Sequence, residues 1–214
     1  MKPTRHWPLY GLRIRTPRLE LRVPDLELLD ELASVAADGV HAPDAMPFTV
    51  PWTDGPPAER GRAVFQHVLG TVAHWQATDW SLSLAVLHEG RVTGRQDLMA
   101  RNFAVTGEVS TGSWLGLAHQ GRGIGTEMRA AALQLAFAGL GAGAAVSSAM
   151  TDNPRSLGVS RRLGYLPDGL TVAALRGERV TLQRLRLERD RWEKHRTSGI
   201  TVEGLDSCRE MFGA

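Results

Sequence analysis

Lysine and cysteine are scarce in this 214-residue chain, and each scarcity removes a class of function. Of its 25 basic side chains only Lys2 and Lys194 are lysine, and 23 acidic residues leave a net charge of +2. No strong positive field for nucleic acid follows from that balance. The opening segment is basic, with Lys2, Arg5, Arg13, Arg15, Arg18 and Arg22 against Glu20. Its arginines alternate with apolar residues, which predicts a solvated strand edge and no nucleic-acid partner. Cys208 is the only cysteine, which excludes an intrachain disulfide and a multi-cysteine metal or iron–sulfur site. A reducing cytoplasm is the expected compartment, and residues 1–10 lack the apolar core of a signal peptide. Long apolar runs are also missing. Residues 130–151 carry no charge, but they are Ala-rich, broken by Gly139, Gly141 and Gly143, and end near Ser147 and Ser148. A buried helix, a turn and a buried strand suit them better than a membrane span. His41, His67, His74, His88 and His119 lack metal-ligand spacing, so no metal is expected.

The patterns that are present order the chain. Residues 12–23 alternate as a strand interrupted at Pro17, and Asp25 opens a helix with Leu28, Leu29, Leu32, Val35 and Ala36 on one face, closed by Gly39. Residues 41–52 form an irregular segment with Met46, Phe48 and Trp52, which suits either a pocket wall or a plug over the core. A second helix fits residues 57–75. A three-strand meander follows over residues 80–88, 91–100 and about 105–117, with Glu89-Gly90 as a tight turn. Then come a helix over 126–137, a strand over 144–149, a helix over 155–163 stopped by Gly164, two strands around Arg176-Gly177, and a charged helical tail. Residues 1–196 are expected to be one domain. Residues 197–214 are expected to be an appended segment packing on that domain or on a second subunit.

Between an apolar strand and an amphipathic helix stands Gln120-Gly121-Arg122-Gly123-Ile124-Gly125-Thr126. Glycines let several amide N–H groups converge on one anion at the positive end of a helix, as a phosphate cradle requires. A Walker loop is excluded for want of Gly-Lys-Ser/Thr. A dinucleotide fingerprint fails because Thr126 stands where its third glycine belongs and no acidic residue lies between Glu127 and Asp152 to hold a ribose.

Gln120, Gly123 and Gly125, followed by Asn153, Ser156 and Gly164-Tyr165 in order and spacing, resemble the two motifs of the GNAT superfamily of CoA-dependent N-acyltransferases. Thr16-Pro17-Arg18-Leu19, with Leu21-Arg22, is similar to the opening of the branch that acetylates ribosomal-protein N-termini, and Ser160 points the same way. The resemblance implies an α+β fold: a mixed, mostly antiparallel sheet of about seven strands, splayed between two parallel central strands, with helices on both faces. It implies an enzyme that moves an acetyl group, or succinyl or another small acyl group, from acyl-CoA to a primary amine by direct transfer. The amine is a protein N-terminus or a small molecule. A catalytically weak CoA-binding module on the same fold is the alternative.

The same resemblance implies residue roles. The main chain of Leu115 and Leu117 would meet the pantetheine, and Gly121, Arg122, Gly123, Ile124, Gly125 and Thr126 the pyrophosphate, with Gln120, Asn153 and Ser156 completing the cofactor-binding set. The Arg122 charge either assists or is simply solvated. Ser160 would donate to the departing sulfur, or is a small residue that lets its helix approach the sheet. The general base falls on Glu108, with Asp97 as runner-up, because Ser110 occupies the position where many relatives carry Glu. Arg95 and Arg101 would face an anionic acyl group or be ordinary solvated strand residues. Pairing of two chains through the last strands or the tail is expected.

Overall fold

The computed structural model describes residues 5–214; residues 1–4, with Lys2 among them, lie outside the described residues. The first strand divides into β1 (Arg13–Arg15) and β2 (Leu19–Arg22), paired antiparallel with Ile14 opposite Leu21. Pro17 supplies no N–H for a ladder, and the turn closes on Thr16. Its N–H donates to the Leu19 carbonyl at 2.9 Å and its hydroxyl accepts from the Leu19 N–H at 2.8 Å. Helix α1 (Leu26–Asp38) begins where the Asp25 carboxylate accepts the Leu28 N–H at 3.0 Å. Helix α2 (Pro57–Ala73) enters through Pro57, at a position that needs no amide hydrogen.

Strands β3 (Asp79–His88) and β4 (Arg91–Arg101) form the expected hairpin around Glu89-Gly90. Strand β5 (Glu108–Leu115) is shorter than its sequence pattern. One helical turn, α3 (Phe103–Thr106), precedes it to bury Phe103, and a 3-10 turn, Leu117–His119, follows. Helix α4 (Ile124–Gln134), a π-turn over Leu135–Gly139 and β6 (Ala144–Met150) account for the uncharged stretch. Helix α5 (Pro154–Arg162), β7 (Leu166–Leu175), β8 (Glu178–Glu188), α6 (Arg189–His195) and β9 (Thr201–Glu203) complete the order.

Among the described residues nine strands make one sheet in the order β7-β8-β6-β5-β4-β3-β2-β1-β9. Splitting of the first strand and the strand inside residues 197–214 bring the count above the expected seven. Among the described strands β5 and β6 alone run parallel, and they pair at just three positions, from Glu108–Ala144 to Ser110–Val146. Beyond that point β5 stays with β4 as far as Gly94–Leu115, and β6 stays with β8 as far as Met150–Leu182. The sheet therefore opens into a V-shaped cleft.

Each face has its own core. Val109, Leu115, Ile124, Met128, Tyr165, Leu185 and Leu187 pack together on the side of α4 and α5. On the other side α1 and α2 bury Leu29, Leu32, Val64 and Val68 against Ala85, Leu87 and Trp114. Strand β5 alternates between them, odd positions toward α4 and even positions toward α1 and α2. Residues 197–214 pack against this same sheet and core. Val202 pairs with Ile14, Phe212 is fully buried, and Trp80 Nε1 donates to the Phe212 carbonyl at 3.0 Å. Among the described residues no helix is long and apolar enough to cross a membrane.

Candidate active site

The glycine loop ends at the start of α4, as its sequence suggests. Gly121 and Gly123 take φ of +76° and +80°, the left-handed region that a side chain disfavours, and Gly123 caps α4. The cap carbonyl of Gly123 accepts from Thr126 and Glu127 at 3.1 and 3.2 Å. Among the described residues, the N–H groups of Gly121 to Gly125 donate to no other backbone group. Five amide hydrogens at a helix N-terminus fit a diphosphate. Arg122 projects into solvent, and Thr126 is half-buried in the first turn.

The loop is held from outside by residues that lie far away in sequence. The Glu127 carboxylate accepts from the Thr16 hydroxyl at 2.5 Å, the Arg18 N–H at 3.1 Å and Arg18 Nε at 2.7 Å. Arg18 Nη1 donates onward to the Arg122 carbonyl at 3.1 Å. Burial alone would raise the Glu127 carboxyl, but the bonds from Thr16 and Arg18 outweigh it and hold it below its ordinary value. The Gln120 side chain braces the other flank. Its amide donates to the carbonyls of Val40 and Leu115 at 2.7 and 3.0 Å, and its oxygen accepts from Arg155 at 3.1 Å. Asn153 caps α5 by accepting the Ser156 N–H at 3.1 Å. Gln120, Asn153 and Ser156 thus have structural duties around the loop.

Main-chain direction in β5 follows from one bond. The Gly116 N–H donates to the Thr93 carbonyl of β4, so the backbone groups of even positions turn to β4 and those of Thr111, Ser113 and Leu115 turn to the cleft. Leu115 ends β5, its carbonyl taken by the Gln120 amide. Leu117 does not lie on the strand: it is in the 3-10 turn, and its N–H is spent on the Gly39 carbonyl at 2.9 Å. Gly94 permits the close approach of β4 to β5, since an added Cβ would lie 2.3 Å from the Trp114 carbonyl oxygen.

Ser160 is fully buried on α5 beside Arg129 of α4. Arg129 Nη1 donates to Ser160 Oγ at 2.9 Å and Nη2 to Ser113 Oγ at 3.2 Å, while Ser160 Oγ donates to the Ser156 carbonyl at 3.2 Å. Tyr165 stands close by. Burial pushes its phenol above the ordinary value, against the pull of the Arg129 charge and of Thr111.

Glu108 lies on the opposite face, so the structure does not bring the two catalytic candidates together. Its carboxylate is ion-paired with Arg186 at 2.5 Å and borders a groove of about 400 Å³ with Asp79, Ser81, Met99 and Ser110. Further along this face Asp97 accepts from Ser83 at 2.7 Å and from Arg95 at 2.9 Å. Arg95 is largely buried in that pair, whereas Arg101 is exposed. The 41–52 segment covers this side, with Phe48 tilted against Trp52 and Trp52 against Trp114, ring centroids 5.1 and 5.8 Å apart. The neighbouring Asp54 carboxylate takes a two-point ion pair from Arg176 at the β7–β8 turn. Among the described residues no group of three or more His, Cys, Asp or Glu side chains is placed to hold a metal.

Arg129, Ser113, Glu127 and the contact role of Arg18 went unnoticed in the sequence. Arg129 alone left a signal, as the last charge before the uncharged run.

Residues 18–166 match the acetyltransferase (GNAT) domain, which sets the class as an acyl-CoA N-acyltransferase. The chain belongs to this GNAT family. Solved structures share the fold. RimJ of Mycobacterium smegmatis, in complex with a CoA-disulfide, is 14% identical with a TM-score of 0.69, covering 94% of this chain and 94% of that one. RimL, a ribosomal L7/L12 α-N-protein acetyltransferase in complex with coenzyme A, is 18% identical with a TM-score of 0.67, covering 82% and 96%. The microcin C7 self-immunity acetyltransferase MccE, in complex with acetyl-CoA and AMP, is 16% identical with a TM-score of 0.61, covering 80% and 93%.

Proposed function

We propose that this protein transfers an acetyl group from acetyl-CoA directly to a primary amine, a protein N-terminus being the favoured acceptor. The free amides of Gly121 to Gly125 at the start of α4 carry this reading. They would hold the pyrophosphate, assisted by Arg122 and the Thr126 hydroxyl, and the pantetheine arm would enter the V and bond the main chain of Leu115 and Ser113. The departing sulfur would lie toward the Ser160 end of the α4–α5 layer. The amine would enter from the opposite face, through the groove bordered by Glu108 and Ser110. RimJ and RimL, with CoA in their structures, support the donor; RimL, described as acting on a protein α-amine, supports the acceptor class. MccE with acetyl-CoA supports acetyl over succinyl.

The Arg186 ion pair on Glu108 favours a second reading, a CoA-binding module with weak chemistry, because that carboxylate is not free to take a proton. Mass spectrometry after exposure to mixed acyl-CoAs, short peptides and small amines separates the two readings. Acetylated peptide N-termini support the enzyme, and retained CoA with no modified amine supports the module. Exposed Leu166, Leu170 and Val172 on edge strand β7 support a homodimer, which light scattering reports directly. A buried, unpaired thiol at Cys208 suits the reducing cytoplasm.

A further inference from the structure

Arg129 is an isolated charge inside the protein. Its side chain is buried, it forms no ion pair among the described residues, and its Nε has no partner. Two of its nitrogens are fixed by hydroxyls, on Ser160 and Ser113. Beside it the buried Tyr165 phenol and Thr111 hydroxyl interact with each other, and neither brings a negative charge to Arg129. Native proteins rarely leave a buried group such as that Nε unsatisfied, because each lost bond costs about 1–3 kcal/mol, and a buried unpaired cation costs more. A buried cation with one nitrogen unpartnered and no counter-charge beside it marks a place where charge is supplied to something that comes and goes.

The location identifies that visitor. Arg129 sits five residues along α4 from Ile124, about 7.5 Å below the loop. Ser113 lies on the cleft wall three residues below Gly116, about 10 Å down the strand. Ser113 is half-buried and its backbone faces the opening, whereas Ser160 is covered entirely. We propose that Arg129 is the counter-charge for the departing CoA thiolate, delivered through the Ser113 hydroxyl, with Ser160 as the residue that holds Arg129 in place. This rests on the acyl-CoA reading above. In the step, the amine nitrogen forms the C–N bond and the C–S bond breaks with its electron pair left on sulfur. One proton passes from nitrogen to water, so the products are amide, CoA thiolate and a proton. No protonated donor is then required at sulfur, which agrees with serine standing in place of a stronger acid. Arg129 is a positioning residue in this scheme, and the hydroxyl of Ser113 is the group that touches the substrate. Among the described residues the titratable group facing Arg129 is Tyr165, whose phenol burial keeps neutral, and no carboxylate from β5, α4 or α5 opposes the charge.

The test reads the thiol itself. CoA bound to the whole protein is titrated by thiolate ultraviolet absorbance, after calorimetry has established binding. In the wild type the bound thiol is expected to ionise at least about one pH unit below free CoA, a tenfold gain in thiolate at a given pH. Arg129→Met and Ser113→Ala are expected to return it to the free value, and Arg129→Lys to retain part of the shift. A wild-type thiol titrating at or above free CoA overturns the proposal without any variant, as does a shift that survives in Arg129→Met. Should Arg129→Met fail to fold, Ser113→Ala and Arg129→Lys decide. Failure of CoA to bind the wild type refutes the functional reading itself, a separate result.

Discussion

Replacing Glu127 by glutamine should loosen the glycine loop without altering any group that touches a ligand. The carboxylate receives bonds from Thr16 Oγ1 and the Arg18 N–H on one oxygen and from Arg18 Nε and Nη2 on the other. Hydrogen bonds to a charged group contribute about 1.5–3 kcal/mol each when buried. Arg18 is 46% exposed, so its ion pair is screened and adds under about 1 kcal/mol, while the carboxylate is only 13% exposed. A total loss of about 2–3 kcal/mol follows, or roughly 4–12 °C in Tm for a chain of this size. The pH dependence has a definite sign. Glu127 is held below its ordinary value, so its contribution is complete above about pH 4.3 and disappears as pH falls through its own lower value. Scanning calorimetry of both proteins from neutral to acid should therefore show two curves that converge at low pH. A Glu127→Gln protein within about 1 °C of wild type at neutral pH would refute the idea that this contact holds the loop.

Phe212→Ala should cost about 3–5 kcal/mol in urea unfolding, since a fully buried ring is removed; a cost below about 1 kcal/mol would show that residues 197–214 are not part of the core. Two glycine substitutions should act in opposite directions in the same assay. Gly94→Ala puts a Cβ 2.3 Å from the Trp114 carbonyl oxygen and 2.8 Å from Leu115 Cα, and should destabilise by about 3 kcal/mol or prevent folding. Gly158→Ala meets nothing within 4 Å inside α5 and should stabilise by about 0.5–1 kcal/mol. Cys208 is buried and its thiol is pushed up to about 11, chiefly by burial. A thiol reagent at neutral pH should label it only after unfolding, and stability should fall as pH rises from about 9 toward 11, where the unfolded thiol ionises first.

What the sequence revealed was whatever is encoded locally. The glycine spacing at Gly121 to Gly125, the short helix after Asn153-Pro154 and the period of β3 are properties of short segments, and all emerge in place. Pairings between distant segments were hidden. Nothing near Thr16 announces that it will meet Glu127, and nothing near Phe212 announces Trp80. The alternation that made residues 12–23 look like one strand holds equally for a hairpin, because β1 and β2 each keep the period on their own side of the turn. Arg129 was passed over for a related reason. A lone charge on a helix is normally solvated, and its burial depends on α5 and β5 closing around it.

One strand, β5, divides the labour of the whole molecule, its odd residues facing α4 and its even residues facing α1 and α2. On the proposed function, acceptor preference would drift by substitution at 108, 110 or 112 while the grip on the donor at 111, 113 and 115 would be inherited unchanged. The same economy makes β5 intolerant of indels. Gain or loss of a single residue would exchange the two sets wholesale, turning toward α1 and α2 what now faces α4.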